Sequence, residues 1–332
     1  MKVAVMGSGA WGTALAIRLC TNGHDVTLWF HNPEKAKIVA STGENPRLPG
    51  VLLPENLKIS HNADCVSQCD MVVLASPSYA FRQVCRAVSP YLPETVLLVS
   101  ATKGIEAETK LRMSSVAEEE TGKTVVALTG PSHAEEVARG IPTGLLAACP
   151  KKELAEAVQD AFMSDVLRVY TSPDIVGAEL GGALKNVIAL CAGVTDGLGY
   201  GDNIKAMLMT RGLTEMGRLG VRMGAYKDTF AGLAGVGDLI VTCTSKHSRN
   251  RQAGVLIGQG KTPEEAMAQV GAVVEGYYAA QAAWALCQEY KVEMPIVQAA
   301  YTVLHTGIPA HKVVEILLNR SKKAESEEVG WL

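Results

Sequence analysis

The chain has 332 residues, 48% of them hydrophobic and 20% charged, with a formal net charge of -3. That length suits two domains, and the balance excludes wholesale disorder. The small negative charge leaves no basic field for nucleic acid or an anionic membrane, so any bound anion must be gripped locally. The 8 cysteines are scattered, with no C-x-x-C pair and no histidine at metal-finger spacing. They read as free thiols in a reducing compartment, most of them small core residues. The opening Met1–Met6 run is too short for a signal-peptide core, and no apolar run reaches the ~18–20 residues of a membrane span. The expectation is a cytoplasmic protein with no membrane span, no nucleic-acid partner and no metal.

The first half alternates short β-branched runs with helical stretches. Val3–Met6 predicts a strand, Ala10–Asn22 a helix closed by Gly23, and Val26–Phe30 the next strand. A helix is expected near Pro33, then a weak strand at Leu57–Ile59. Met71–Ala75 and Thr95–Ser100 are continuous apolar runs, which suit parallel strands buried on both faces. Val125–Leu128, Gly144–Ala148 and Val166–Tyr170 predict further strands. This alternation argues for an α/β, doubly wound Rossmann-type sheet domain over residues 1–172.

From Ser172-Pro173 the character changes, and residues 173–332 predict an all-α substrate domain. Ser172 is the expected N-cap and Pro173 the first helical residue of a helix reaching about Gly197. Further helices are expected at Ile204–Met223, Arg249–Gly258, Thr262–Val270, Tyr277–Tyr290, Pro295–Leu304 and His311–Leu318. The charged tail, Ser321 to Leu332, is expected to fray.

Gly7-Ser8-Gly9-Ala10-Trp11-Gly12 is a G-x-G-x-x-G turn that follows a strand and opens a helix, the context a dinucleotide fingerprint requires. Gly7 permits the tight turn, Gly9 lets the backbone approach a pyrophosphate, and Gly12 lets helix pack on strand. The helix start then offers free N–H groups and a positive dipole end to the phosphates. No acidic residue ends the second strand, which permits a 2′-phosphate, and no arginine there demands one. His31 and Asn32 could bond either a 2′-phosphate or a plain ribose. The lean is to NADP(H), with NAD(H) open.

Other candidates lie at strand ends and helix starts. Lys103 follows the strand Thr95–Ser100, where ligands of open α/β sheets bind; a surface turn lysine is the plainer alternative. Gly130-Pro131-Ser132-His133-Ala134 follows another strand and forms either a pocket-lining loop or an ordinary turn. Gly181-Gly182 sit inside a predicted helix at about 1 kcal/mol each relative to alanine, which suggests close approach of a backbone or ligand. Beside them Lys185 is a charge in an apolar stretch. There it would have a lowered pKa and move protons near neutral pH, or else snorkel at a helix edge. Ser248, Arg249 and Asn250 fall at a predicted helix start, where an arginine fork can trap phosphate or merely cap the helix.

Taken together, Gly7–Gly12, Ala101–Gly104, Gly130–Ser132, Gly181–Asn186, Gly237-Asp238, Ser248–Arg251 and Val273–Gly276 resemble the bacterial NAD(P)-dependent glycerol-3-phosphate dehydrogenase family. The match runs in order along nearly the whole chain. The resemblance implies that Lys185 transfers the proton and that Lys103 contacts both substrate and nicotinamide. It implies substrate contacts at Gly130, Ser132, Asp238, Ser248, Arg249 and Asn250. It implies cofactor contacts at Ala10, Trp11, His31, Ala134, Arg249, Val273 and Glu275. Many family members carry Ser or Asn where this chain has Ala10, so the contact there is through backbone; many carry Arg near His31-Asn32. The implied reaction is reduction of dihydroxyacetone phosphate to sn-glycerol 3-phosphate with NADP(H) or NAD(H), feeding phospholipid synthesis, and a homodimer is compatible. The competing readings are a β-hydroxy acid dehydrogenase of similar layout and a non-catalytic dinucleotide-binding redox sensor.

Overall fold

The computed structural model describes residues 1–325. Of the tail expected to fray, residues 326–332 lie outside the described residues, and 321–325 carry no helix or strand. The sheet is built from β1 (Lys2–Met6), β2 (Asp25–Trp29), β3 (Lys58–Ser60), β4 (Met71–Leu74), β5 (Leu97–Ser100), β6 (Val125–Thr129), β7 (Thr143–Ala148) and β8 (Leu167–Ser172). Their spatial order is β3-β2-β1-β4-β5-β6-β7-β8. All neighbours are parallel except β6 and β7, which run antiparallel. The order reverses between β1 and β4, which makes a crevice at the carboxyl ends of these strands.

The expected strands form because both faces of their apolar runs are covered. Val3, Val5, Val73 and Val99 point to one face, under α1 (Ala10–Thr21) and, after α2 (Pro33–Thr42), α3 (Phe81–Val88), α4 (Met113–Thr121) and α5 (Ala134–Ala138), also under α6 (Lys152–Phe162). The alternate residues Ala4, Met6, Val72 and Leu74 point to the other face and pack on Phe81 of α3 and Val116 of α4. The period-2 alternation therefore has no polar side to show, as a buried parallel sheet requires.

From Ile175 onward the described chain is helical. α7 (Ile175–Gly197) runs through the middle, followed by α8 (Asp202–Arg222), α9 (Asp238–Thr244), α10 (Arg249–Gly258), α11 (Pro263–Val270), α12 (Glu275–Tyr290), α13 (Pro295–His305) and α14 (Ala310–Leu318). α7 has the length and hydropathy of a membrane span, yet 89% of its most apolar window is buried inside the protein, which makes it a core helix. α10 crosses it with main chain against main chain. A Cβ added at Gly193 would lie 2.1 Å from the Arg251 carbonyl oxygen, and one at Gly254 would lie 2.0 Å from that of Leu190. Gly197 and Gly258 continue the crossing against Val255 and Val194.

Two expectations are corrected. Ser172 is not the N-cap of α7, and Pro173 is not its first residue. The Ser172 carbonyl still accepts from Cys149 N–H in the sheet, and its hydroxyl accepts from Asp174 N–H. Asp174 caps instead, its carboxylate accepting from Gly177 N–H at 2.8 Å, Tyr226 N–H at 2.8 Å and Thr229 Oγ1 at 2.6 Å. A carboxylate serves three donors where a serine serves one, so the helix starts where those donors converge. The Gly237-Asp238 pair lies where a π-helical turn (Leu233–Gly237) runs into α9. Asp174→Ala is expected to cost about 2 kcal/mol, because the buried Gly177 N–H and the part-buried Tyr226 N–H and Thr229 hydroxyl lose their acceptor. Urea unfolding measures this, and a change under about 0.5 kcal/mol would rule out the clamp.

Candidate active site

The Gly7–Gly12 turn is shaped to admit an anion. Gly7 has φ +140°, and an added Cβ would sit 2.5 Å from the Ala75 carbonyl oxygen; one at Gly12 would sit 1.9 Å from that of Gly7. At Gly9 the same Cβ would meet nothing within 4 Å, so this backbone faces open space. Gly9 caps α1 with no side-chain hydrogen bond, and the first turn carries no acidic residue. The N–H groups there remain available to a pyrophosphate, so the turn fits a dinucleotide. Buried Asn45, which sequence reasoning missed, fixes the turn by donating to Ser8 O at 2.9 Å and Thr13 Oγ1 at 2.8 Å. Ala134 packs behind it with Ala10 and Trp11.

At the end of β2, His31 is exposed and meets Trp29 edge-on, ring centroids 5.8 Å apart. Asn32 is committed locally: its Oδ1 accepts from Lys35 N–H and caps α2. Of the two residues considered for the adenine ribose, only His31 keeps its polar atoms free of a side-chain hydrogen bond among the described residues.

The loop after β5 is pinned on both sides. Trp11 Nε1 donates to Ala101 O at 3.1 Å, and Thr102 Oγ1 donates to Ser76 O at 2.8 Å. Lys103 is thereby aimed across the sheet edge, its Nζ donating to Gly130 O at 2.8 Å and to Asp238 Oδ2 at 2.8 Å. The other oxygen of Asp238 accepts from Lys185 Nζ, which also donates to Thr242 Oγ1 at 2.7 Å. Asp238 is 1% exposed and Lys185 5%, so one buried carboxylate holds two lysines from opposite parts of the fold. Thr242, one turn after Asp238 on α9, is a second residue the sequence reading did not single out.

Electrostatics follow from this burial. Desolvation lowers the Lys185 pKa to about 7, the pull of Asp238 opposing it and Lys103 adding to it. Burial alone would raise the Asp238 carboxyl, but Lys103 and Lys185 override it and hold Asp238 below its ordinary value. The lysine is therefore half-protonated near neutral pH beside a permanently ionised carboxylate, which is the state a proton donor needs.

The double glycine explains how these groups meet. A Cβ at Gly181 would fall 2.3 Å from Ala234 O in the π-helical turn, and one at Gly182 would fall 2.8 Å from Thr129 Oγ1 and 3.5 Å from Lys103 Cγ. Both glycines thus admit close neighbours, as the sequence suggested. The first brings the turn that carries Asp238 against α7, and the second gives Lys103 passage. Thr129 Oγ1 and Ser76 Oγ, both buried near this edge, have no hydrogen-bond partner among the described residues.

The remaining candidates sit around the same cleft. Gly130 adopts φ +126°, and Ser132 Oγ donates to its carbonyl at 3.0 Å. Ser248 caps α10 by accepting from Arg251 N–H, and Arg249, the first helical residue, is exposed. No described side-chain hydrogen bond or ion pair uses Arg249. Asn250 is buried and partly spent: Nδ2 donates to Asn186 Oδ1 at 2.9 Å and Oδ1 accepts from Gly276 N–H at 2.8 Å. Arg251 points elsewhere, to Asp196. Val273 is half-buried just before α12. Glu275, the first residue of α12, accepts from Ser78 N–H at 3.2 Å and Ser78 Oγ at 2.5 Å, and burial raises its pKa.

Known proteins share the two-part organisation of this chain. Residues 2–155 match a family model described as NAD-dependent glycerol-3-phosphate dehydrogenase N-terminus, and residues 174–315 match the corresponding C-terminus model. The chain is 52% identical to a glycerol-3-phosphate dehydrogenase [NAD(P)+] of Pelotomaculum thermopropionicum, over 99% of this chain and 96% of that protein. It is 49% identical to one from Moorella thermoacetica, over 99% of each. The crystal structure of glycerol-3-phosphate dehydrogenase from Coxiella burnetii superposes with a TM-score of 0.93 at 34% identity, covering 96% of this chain and 99% of that one. In lysine-labelled protein followed by NMR, the Lys185 amine is expected to titrate near pH 7 and to fall lower in Asp238→Asn, since the carboxylate pull is gone. An ordinary lysine titration in the native chain would contradict the buried cluster.

Proposed function

The chain belongs to the NAD-dependent glycerol-3-phosphate dehydrogenase family, and we propose that Lys185, Lys103 and Asp238 carry its reaction, the reduction of dihydroxyacetone phosphate to sn-glycerol 3-phosphate that supplies the phospholipid backbone. The observation that carries this reading is the buried Asp238 carboxylate shared by Lys185 and Lys103. When bound, a reduced nicotinamide supplies the hydride to the ketone carbon. Protonated Lys185 gives its proton to the ketone oxygen as negative charge develops there, and recovers one afterwards from solvent. Lys103 stabilises the same oxygen by its charge. Asp238 and Thr242 hold the Lys185 amine in place, and Asp238 keeps it protonated closer to neutrality than burial alone allows.

Arg249 and the Ser248 hydroxyl at the start of α10 hold the substrate phosphate, and Asn250 contributes the one amide N–H left over from Asn186. Binding energy at that remote end orients the ketone against the lysines. Residues Gly7 to Gly12 hold the pyrophosphate, and His31, Ala134, Arg249, Val273 and Glu275 complete the cofactor side. The division at residues 172 and 173 then separates a dinucleotide-binding part from a substrate part. The lean to NADP(H) rests on His31 and on the lack of a carboxylate at the end of β2. A cytoplasmic location and a homodimer go with the reading, and cell fractionation and light scattering test them.

A β-hydroxy acid would present a carboxylate to Arg249 in place of a phosphate. Turnover of dihydroxyacetone phosphate against a panel of β-hydroxy acids, with NADH and NADPH in parallel, separates the two. Lys185→Ala is expected to abolish turnover while NAD(P)H binding, read by fluorescence, survives; near-normal turnover would sink the assignment. Arg249→Ala is expected chiefly to raise the KM for the phosphate substrate. The pH dependence has a definite sign. Reduction needs protonated Lys185, so its kcat should fall as pH rises through about 7, whereas oxidation needs the neutral amine and should rise over the same range. Parallel slopes in both directions would rule out Lys185 as the proton carrier.

A further inference from the structure

Two histidines border the substrate loops without a part in the chemistry so far. His133 directly follows Ser132, and His247 directly precedes Ser248. Their rings face one another, centroids 6.0 Å apart and planes at 57°. The loop after β6 and the loop before α10, each carrying a substrate contact in the reading above, therefore meet through an imidazole pair. His133 is half-buried, and its Nε2 is buried with no hydrogen-bond partner among the described residues. A sealed polar nitrogen is destabilising unless a bound group completes it. His247 is exposed, its backbone N–H held by Ser245 Oγ.

We propose that His133 and His247 form a second grip on the phosphoryl group of the substrate, with His133 Nε2 bonded to a phosphoryl oxygen and His247 closing over it. This rests on the reading of the substrate given above. The groups facing His133 are Lys185 on α7, Glu135 and Glu136 on α5, the Val241 carbonyl on α9 and the His247 ring. Burial first, then the Lys185 charge, lowers the His133 pKa, so the free ring is neutral at pH 7. The neutral ring gives its one N–H to the Val241 carbonyl, so Nε2 donates to a phosphoryl oxygen only when the ring is protonated. A phosphate monoester carries nearly two negative charges at neutral pH, its second pKa being about 6. Its arrival favours the imidazolium, so binding takes up a proton, and the grip tightens on the acid side. Ser248 and Arg249 grip from a helix start; the histidines grip from the loops.

Steady-state kinetics of the full chain test this, beginning with the native enzyme. Absence of dihydroxyacetone phosphate turnover there would overturn the substrate reading and the inference with it. Given that turnover, His133→Phe and His247→Gln are each expected to raise the KM for dihydroxyacetone phosphate about tenfold near pH 6.5, the loss of one charge-assisted hydrogen bond. The kcat and the KM for NAD(P)H should change less than about twofold, and the Ki of inorganic phosphate should rise in step with the substrate KM. His133→Gln, which keeps a donor, should recover part of the loss. Should His133→Phe fail to fold, exposed His247 still carries the test. An unchanged KM in His247→Gln overturns the proposal. So does a joint loss of kcat, cofactor KM and thermal midpoint at His133 that glutamine does not relieve.

Discussion

The Asp238 carboxylate is the group on which the arrangement turns. It is 1% exposed, and an ion so buried is tolerated only when its partners are in place. One partner, Lys103, comes from the sheet, and the other, Lys185, from the central helix. The carboxylate is therefore satisfied only when the sheet and the helical part are docked against each other. The same seam holds two more buried or half-buried carboxylates. Glu179 of α7 accepts from Ser114 N–H and from Arg112, and Glu275 of α12 accepts from Ser78. Each leaves a charge without a partner if the parts separate, so the polar seam specifies one relative placement where an apolar seam would allow sliding.

The lysine in this cluster has two opposing influences whose balance suits proton transfer. Burial alone would lower the Lys185 pKa further, and a carboxylate alone would raise it. Together they leave the amine titrating near 7, where giving and taking a proton are comparably easy. The double glycine makes this geometry possible, since side chains at Gly181 and Gly182 would hold off the turn that carries Asp238 and the stem of Lys103.

Much of this was legible in the sequence because it is written in local pattern. The apolar runs of β4, β5 and β6 and the glycine turn before α1 need only neighbouring residues to be recognised. The cost of adjacent glycines inside a helix likewise announced a close approach. What was illegible depends on distant partners. Ser172 and Asp174 are both good caps, and only Tyr226 and Thr229, far along the chain, decide for Asp174. Asn45 and Ser78 are ordinary loop residues until Ser8 and Glu275 arrive beside them. Thr242 carries one faint signal, its position one helical turn after Asp238. Ile240, Val241 and Thr242 are β-branched, and their helical state reflects packing against α7 and the π-helical turn.

The crossing of α7 and α10 has a consequence for selectivity. Lys185 lies on one helix and Arg249 begins the other, and Gly193, Gly197, Gly254 and Gly258 set them main chain on main chain. No rotamer change can lengthen that spacing. On the roles proposed above, the backbone positions that carry the proton-bearing amine and the phosphate grip are thus set at a fixed spacing. Under that proposal, a phosphorylated ketone one carbon longer or shorter would still be held by its anionic end, yet would present a different atom to the amine.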